Sequence, residues 1–323
     1  MKDGAGRNIE YLRISVTDRC NFRCVYCMPQ SGMEWLPREG ILTAAEIHDV
    51  VSQLAPLGLR RIRVTGGEPT LRPDLCDIIA RIRSVAEIED IAISTNGVKL
   101  EAMAASLRAA GVDRLNLSVD SLRPERIVAI ARRDLGLDPR RVLRAAIAAG
   151  FDPVKVNTVV VRGVNDDEIG AIARLTLELP VHVRFIELMP VGDMSESGFE
   201  HVVPSDEVLE AAAVALGPLV QDVGPAGNGP ARYYRAPGAP GTIGVITPMT
   251  HTYCASCNRV RLTADGRLRT CLFGDHEVDL RTPLRAGVAL QPFVAQALAD
   301  KPLEHALLQL RTGGLRALSQ TGG

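Results

Sequence analysis

Hydrophobic and polar positions in the first 190 residues form two alternating kinds of segment. Short apolar or alternating runs predict strands at 12–16, 61–65, 91–94, 114–119, 154–161 and 181–188. Between them, amphipathic stretches predict helices over 43–54, 73–85, 99–110, 139–149 and 165–179. Thr43 followed three residues later by Glu46 is a capping box, and Gly111 and Gly150 punctuate two helix ends. Six strands separated by helices imply a parallel sheet with right-handed crossovers. The pattern by itself fits both an open doubly wound sheet and a partial barrel.

Beyond residue 190 the chain changes character. Residues 203–216 read as one more helix. The stretch from Gly217 to Gly241 then carries eleven Gly or Pro in 25 residues and reads as a loop. After it come an apolar strand at 244–246, a hairpin over 259–272 turning at Asp265-Gly266, and a helical tail over 290–310. The chain stops at Gly322-Gly323. The expected organisation is therefore 1–190 as one repeating α/β unit and 191–323 as a C-terminal region of different make-up.

Composition narrows the field. With 37 Lys+Arg against 38 Asp+Glu, no global field argues for nucleic acid or an anionic membrane surface. No apolar run approaches ~20 residues and the first seven residues are polar, so no membrane span or signal peptide is expected. Seven Cys in an odd, clustered pattern point to metal in a reducing compartment, hence the cytoplasm, rather than to disulfides.

The clusters themselves carry the chemistry. Cys20-x3-Cys24-x2-Cys27 follows the first strand, with Tyr26 just before the last thiol and no fourth Cys nearby. Three close thiolates suit a cubane iron–sulfur cluster with one iron left open, whereas a structural zinc site wants four closed ligands. After the second strand, Gly66-Gly67-Glu68-Pro69 offers a backbone that a charged ligand can approach closely. Alone, that is an ordinary turn. A second set, Cys254-x2-Cys257-x13-Cys271, lies in the C-terminal region. In isolation it reads as zinc, with His251 or His276 as fourth ligand. Cys76 sits on the apolar face of a predicted helix and reads as a free structural thiol.

The first triplet with its aromatic residue resembles the signature of radical S-adenosylmethionine (SAM) enzymes. The two triplets together, with Arg13-x-Ser-x-Thr-Asp-Arg-Cys20, the GGEP element, Asn258-Arg259-Val260-Arg261 and the terminal Gly-Gly, resemble a two-cluster branch of that superfamily. That branch cyclises GTP in molybdenum-cofactor biosynthesis. The resemblance implies a (β/α)6 partial TIM barrel with a C-terminal extension carrying a second iron–sulfur cluster. It implies two 4Fe-4S clusters and SAM as cofactors, the first cluster on Cys20, Cys24 and Cys27 and the second, substrate-binding one on Cys254, Cys257 and Cys271. SAM would be held by Tyr26, Gly67, Ser118 and Met189. GTP would be held by Arg13, Arg63, Ser94, Lys155, Arg259, Val260 and Arg261, with Arg61 and Arg184 as further cations. Ser94 stands where many members carry Thr. Gly322 and Gly323 would form a tail that reaches the site. The implied reaction removes the 3′ hydrogen of GTP and joins C3′ to C8 of guanine. The implied partners are a flavodoxin-like or similar electron donor, the next enzyme of the molybdopterin pathway and, as a homodimer, a second copy. The alternative is a radical enzyme with an auxiliary cluster acting on a peptide or another small molecule. From a different class, a zinc- or cluster-based redox regulator would need a DNA- or partner-binding element, and neither a helix-turn-helix context nor a basic face is evident.

Overall fold

The computed structural model of the chain describes residues 1–190, 198–227, 229–274, 276–305 and 318–321. Six parallel strands follow one another in sheet order as in sequence: β1 (Tyr11–Ser15), β2 (Arg61–Thr65), β3 (Asp90–Thr95), β4 (Arg114–Ser118), β5 (Val154–Val160) and β6 (Val181–Glu187). The C-terminal region adds β7 (Val220–Asp222), β8 (Arg232–Arg235), β9 (Thr242–Ile246), β10 (Arg259–Leu262), β11 (Arg267–Arg269) and β12 (Glu277–Asp279). All twelve belong to one sheet, with β9 parallel to β6 and β10 parallel to β1. The C-terminal strands thus extend both edges of a (β/α)6 partial barrel.

Alternation within the strands decides which face holds the core. Leu12, Ile14, Ile62, Val64, Leu115, Leu117, Val154 and Val156 are fully buried against helix residues such as Ile47, Val51, Leu75, Ile78 and Leu107. Each such burial stabilises the fold by roughly 1.5–3 kcal/mol. The intervening positions carry Arg13, Arg63, Ser94, Asn116, Lys155, Asn157 and Arg184. A parallel sheet buried on both faces normally reads as an unbroken apolar run. The polar alternate positions mark an interior built to hold a ligand.

Helix boundaries follow local chemistry. The expected capping box is present: Glu46 N donates to Thr43 Oγ1 at 3.2 Å, and Thr43 N donates to Glu46 Oε2 at 2.8 Å, opening the helix Ala44–Leu54. A helix at Pro124–Ala131 escaped the pattern, although Pro at its first position is a start signal. The Gly/Pro-rich stretch is not all loop, since β7 and β8 form a hairpin within it. One of its glycines serves close packing: a Cβ at Gly224 would lie 2.2 Å from the Tyr233 ring. The hairpin at Asp265-Gly266 forms as expected, with Gly266 at φ 81° and β12 as an additional strand. The tail helix is shorter than its apolar pattern suggested, spanning Gln291–Ala299 with Asp300 as cap. Pro302 explains the stop, because it disfavours helical backbone at Lys301 and brings no N–H of its own. Residues 306–317 and the Gly322-Gly323 tail lie outside the described residues. No described helix is long and apolar enough to cross a membrane.

Candidate active site

The ends of β1 to β6 surround a cavity of about 280 Å³, and both halves of the expected site face it. Cys20, Cys24, Cys27, Tyr26, Gly67, Ser118 and Met189 lie on its wall together with Arg13, Arg63, Ser94, Arg259 and Arg261. The glycine pair makes this convergence possible. Gly67 N donates to Thr17 O at 2.7 Å and Glu68 N to Arg19 O at 2.8 Å, so the end of β2 lies flat along the cysteine loop. A Cβ at Gly66 would sit 2.4 Å from Thr17 O, and one at Gly67 would sit 2.3 Å from Arg19 O. Glu68 then locks the end of β3, accepting from Thr95 Oγ1 at 2.7 Å and Asn96 N at 2.8 Å. Gly67→Ala should therefore displace the cysteine loop, at a cost of ~1–3 kcal/mol for overpacking against rigid backbone. Thermal unfolding of the metal-free protein, with iron retention after reconstitution, checks this; unchanged values in both would refute it.

The thiols suit a cluster better than a single ion. Among the described residues, no three His, Cys, Asp or Glu side chains converge tightly enough to hold one metal ion. The three cysteines share the wall of that cavity, and three thiolates without a fourth are the ligand set of a cubane that keeps one iron open. Burial pushes the Cys20 thiol up to about 11. Burial, then the charges of Asp120, Cys27 and Cys20, pushes Cys24 well above its ordinary range. Thiolates so placed are costly until a metal centre neutralises them. Tyr26 is fixed by its hydroxyl, which donates to Asp120 Oδ2 at 2.6 Å. Burial raises the Asp120 carboxyl to about 6, against the pull of that bond and of Val159 N.

The opposite half is cationic because of strand register. Arg261, Arg13 and Arg63 are direct neighbours across β10, β1 and β2, with Arg259 and Arg61 one layer away beside Tyr11. Burial, followed by the charges of Arg261 and Arg63, lowers the Arg13 pKa well below the arginine range. Arg63 and Arg259 each have a buried Nε with no hydrogen-bond partner. Their guanidinium carbons lie 5.6 Å from the Tyr11 ring and 5.3 Å from the Tyr253 ring, respectively. Arg184 crosses the interior between Asn157 and Asn116, donating to their oxygens at 2.9 and 2.6 Å. Cations gathered by register on one wall form a site for a multiply charged anion.

Lys155 stands just behind this cavity rather than on its wall. Its Nζ donates to Ala226 O at 2.6 Å, and Arg114 Nη1 donates to the same oxygen at 2.8 Å. Burial first, then Arg184, Arg114 and Arg63, lowers the Lys155 pKa to about 6. Val260 is buried in the apolar core, so only its backbone is available to a ligand. Arg61 points away to an ion pair with Glu10.

Cys254, Cys257 and Cys271 line a second cavity of about 70 Å³, which shares Tyr253, Arg259, Arg261 and Leu272 with the first. Neither histidine proposed as a fourth ligand reaches it: His251 and His276 are exposed. The histidine that does line it is His305, whose Nε2 is 3.0 Å from Pro248 O. The short helix Leu318–Thr321 lies alongside, with Thr321 O accepting from Arg261 Nη1 at 3.2 Å. Cys76 is free and half-buried on the core side of the helix Leu75–Arg83.

Several participants escaped the sequence reading. Tyr253 had a signal, an aromatic residue beside the C-x2-C pair. Glu187 had none: its carboxylate, at the end of β6, accepts from Met249 N and Thr250 N at 3.0 Å each and anchors the loop leading to Cys254.

This fold and this pair of cysteine-lined cavities define a radical SAM enzyme. The model of the radical SAM superfamily matches residues 14–176, and that of the molybdenum cofactor synthesis C family matches 181–307. Over the full length of both chains, the protein is 47% identical to the GTP 3′,8-cyclase of Pelotomaculum thermopropionicum and 44% identical to that of Desulforamulus reducens. It belongs to the GTP 3′,8-cyclase family, which uses a SAM-binding 4Fe-4S cluster and carries a second cluster in its C-terminal region. Among solved structures, Streptococcus suis SuiB bound to S-adenosylmethionine aligns over 92% of this chain and 65% of its own, at 12% identity and a TM-score of 0.62. A radical SAM methyltransferase from Sphaerobacter thermophilus aligns over 79% of this chain and 69% of its own, at 20% identity and a TM-score of 0.52. Both share the fold.

Proposed function

We infer that the chain converts GTP to (8S)-3′,8-cyclo-7,8-dihydro-GTP, an early step of molybdenum-cofactor biosynthesis. The observation that carries this reading is the arginine group Arg13, Arg63, Arg259 and Arg261 facing the same cavity as the first cysteine triad. When bound, the N-terminal cluster and SAM supply the 5′-deoxyadenosyl radical that removes the 3′ hydrogen of GTP. The protein's own tasks are to hold, orient and desolvate. Cys20, Cys24 and Cys27 would carry the first cluster, while Gly67, Ser118, Met189 and the Asp120-anchored Tyr26 hold SAM. Arg13, Arg63, Ser94, Lys155, Arg259, Arg261 and the Val260 backbone would hold GTP, joined by Arg184. Cys254, Cys257 and Cys271 would carry the second cluster on the substrate side.

In this reading residues 1–190 are the radical-generating barrel and 191–323 the substrate-side region. The chain works in the cytoplasm, takes electrons from a flavodoxin-like or similar donor, passes its product to the next enzyme of the pathway and pairs with a second copy. Thr321 beside Arg261 supports a tail, Gly322-Gly323, that reaches the nucleotide. The test is anaerobic incubation of the reconstituted, reduced protein with SAM and GTP, followed by mass spectrometry. The cyclised nucleotide with 5′-deoxyadenosine is expected; 5′-deoxyadenosine without any GTP-derived product would overturn the assignment of substrate.

Lys155 gives this reading a proton signature. With its pKa near 6 in the free protein, Lys155 is mostly neutral at pH 7.5. A triphosphate alongside restores the charged form, so GTP binding should take up about one proton there. The uptake should fade as pH drops through 6, where the amine is already protonated before binding. Calorimetry in buffers of different ionisation enthalpy measures it, and Lys155→Met isolates the lysine from the nucleotide's own titration. Equal uptake by the variant would remove Lys155 from the binding set.

A further inference from the structure

Lys301 is a buried lysine whose partners all belong to the second cysteine cavity. It lies just beyond the helix Gln291–Ala299, is 6% exposed and lines that cavity. Its Nζ donates to Arg259 O at 3.2 Å and to Thr270 O. Arg259 is two residues past Cys257, and Thr270 immediately precedes Cys271. One ammonium therefore ties together the two backbone segments that carry two of the three thiols. No ion pair among the described residues involves Lys301, and it lines the same cavity as Cys254, Cys257 and Cys271.

The position of Lys301 is itself secured from the far end of the chain. Arg7 donates to Pro302 O at 2.7 Å, to Leu303 O at 3.1 Å and to Cys254 O at 2.9 Å, with its Nε on Asp3 at 2.6 Å. Lys301 N closes the helix end on Leu298 O at 3.2 Å. An ammonium brought to a cavity of thiols and held on both sides of its own residue is more than a solvated charge with a buried stem.

We propose that Lys301 is a positioning residue of the C-terminal cluster, clasping the Cys257 and Cys271 segments and bringing positive charge into the cavity that the three thiols line, so that the cluster is easier to reduce. The physical ground is that reduction adds negative charge to the cluster, which hydrogen bonds and cations at its sulfurs stabilise. The proposal rests on the assignment of that cluster to Cys254, Cys257 and Cys271, and the test separates the two. In a Cys24→Ala background, which leaves the C-terminal cluster as the sole centre, iron content and the midpoint potential are measured for Lys301, Lys301→Met, Lys301→Gln and Lys301→Arg. A background protein without iron would refute the cluster assignment itself.

Given a cluster, Lys301→Met and Lys301→Gln should retain it but make it harder to reduce. The expected shift is roughly tenfold in the reduction equilibrium, about 59 mV toward negative potential for a one-electron couple. Lys301→Arg should recover most of it. Should Lys301→Met lose its cluster, Lys301→Gln decides by the same measurement. Loss from both neutral variants with retention in Lys301→Arg supports the proposal. Wild-type potential in a neutral variant, or loss of the cluster from all three, would overturn it and leave Lys301 a packing residue.

Discussion

Cys24→Ala should remove about half of the iron, roughly four of eight per chain, and abolish GTP cyclisation. Burial, then Asp120, Cys27 and Cys20, pushes the Cys24 thiol well above the ordinary range, and Cys24 lines the large cavity. Losing one of three protein ligands leaves two thiols to hold a cubane that already keeps one iron open, which is too few. Cys76→Ala is the matched control. That thiol is free on a helix packed against the apolar core, so its loss should leave iron and turnover unchanged. Iron analysis and product formation check both variants. Full iron in Cys24→Ala, or iron lost from Cys76→Ala, would mean that the ligands are wrongly assigned.

The parts of the fold and site legible in the sequence are those whose causes are local. Leu12-Arg13-Ile14 announces both a strand and a polar inner face, because side chains alternate with period two. The C-x3-C-x2-C loop is local as well, and so is the capping box at Thr43 and Glu46. What stayed hidden depends on register between distant segments. Nothing in the stretch around Arg261 says that β10 pairs with β1, yet that pairing sets Arg261 beside Arg13. Arg114 and Lys155 share one acceptor, Ala226 O, which belongs to a stretch that its Gly and Pro content marked only as loop. Lys301 sits in a segment whose apolar pattern reads as helix, and only Pro302 hints that the chain turns there. The histidines offered as a fourth ligand were those nearest the cysteines in sequence, while His305 is near in space.

Replacing Arg63 should make the nucleotide-free protein more stable and bind GTP much more weakly. Arg63 has a buried Nε without a hydrogen-bond partner, and its guanidinium carbon sits 5.6 Å from the Tyr11 ring centre. No ion pair among the described residues involves it. Burial lowers its pKa, opposed by Tyr11 and reinforced by the charges of Arg184, Arg114 and Arg259. Such a charge is a burden on the free fold, and replacing a buried ionic group by an apolar one of similar size is often neutral or stabilising by ~1–4 kcal/mol. Arg63→Met keeps the unbranched stem against Tyr11 while removing the charge. In the complex the balance reverses, since a charge-assisted bond to a phosphate contributes ~1.5–3 kcal/mol, or about a 10- to 150-fold change in affinity. Thermal unfolding without and with GTP should therefore diverge: a higher Tm for the free variant than for the parent, and a smaller upward shift on adding nucleotide. A free variant less stable than the parent, with an unchanged GTP shift, would make Arg63 a structural residue and would weaken the assignment of the whole arginine group to the triphosphate.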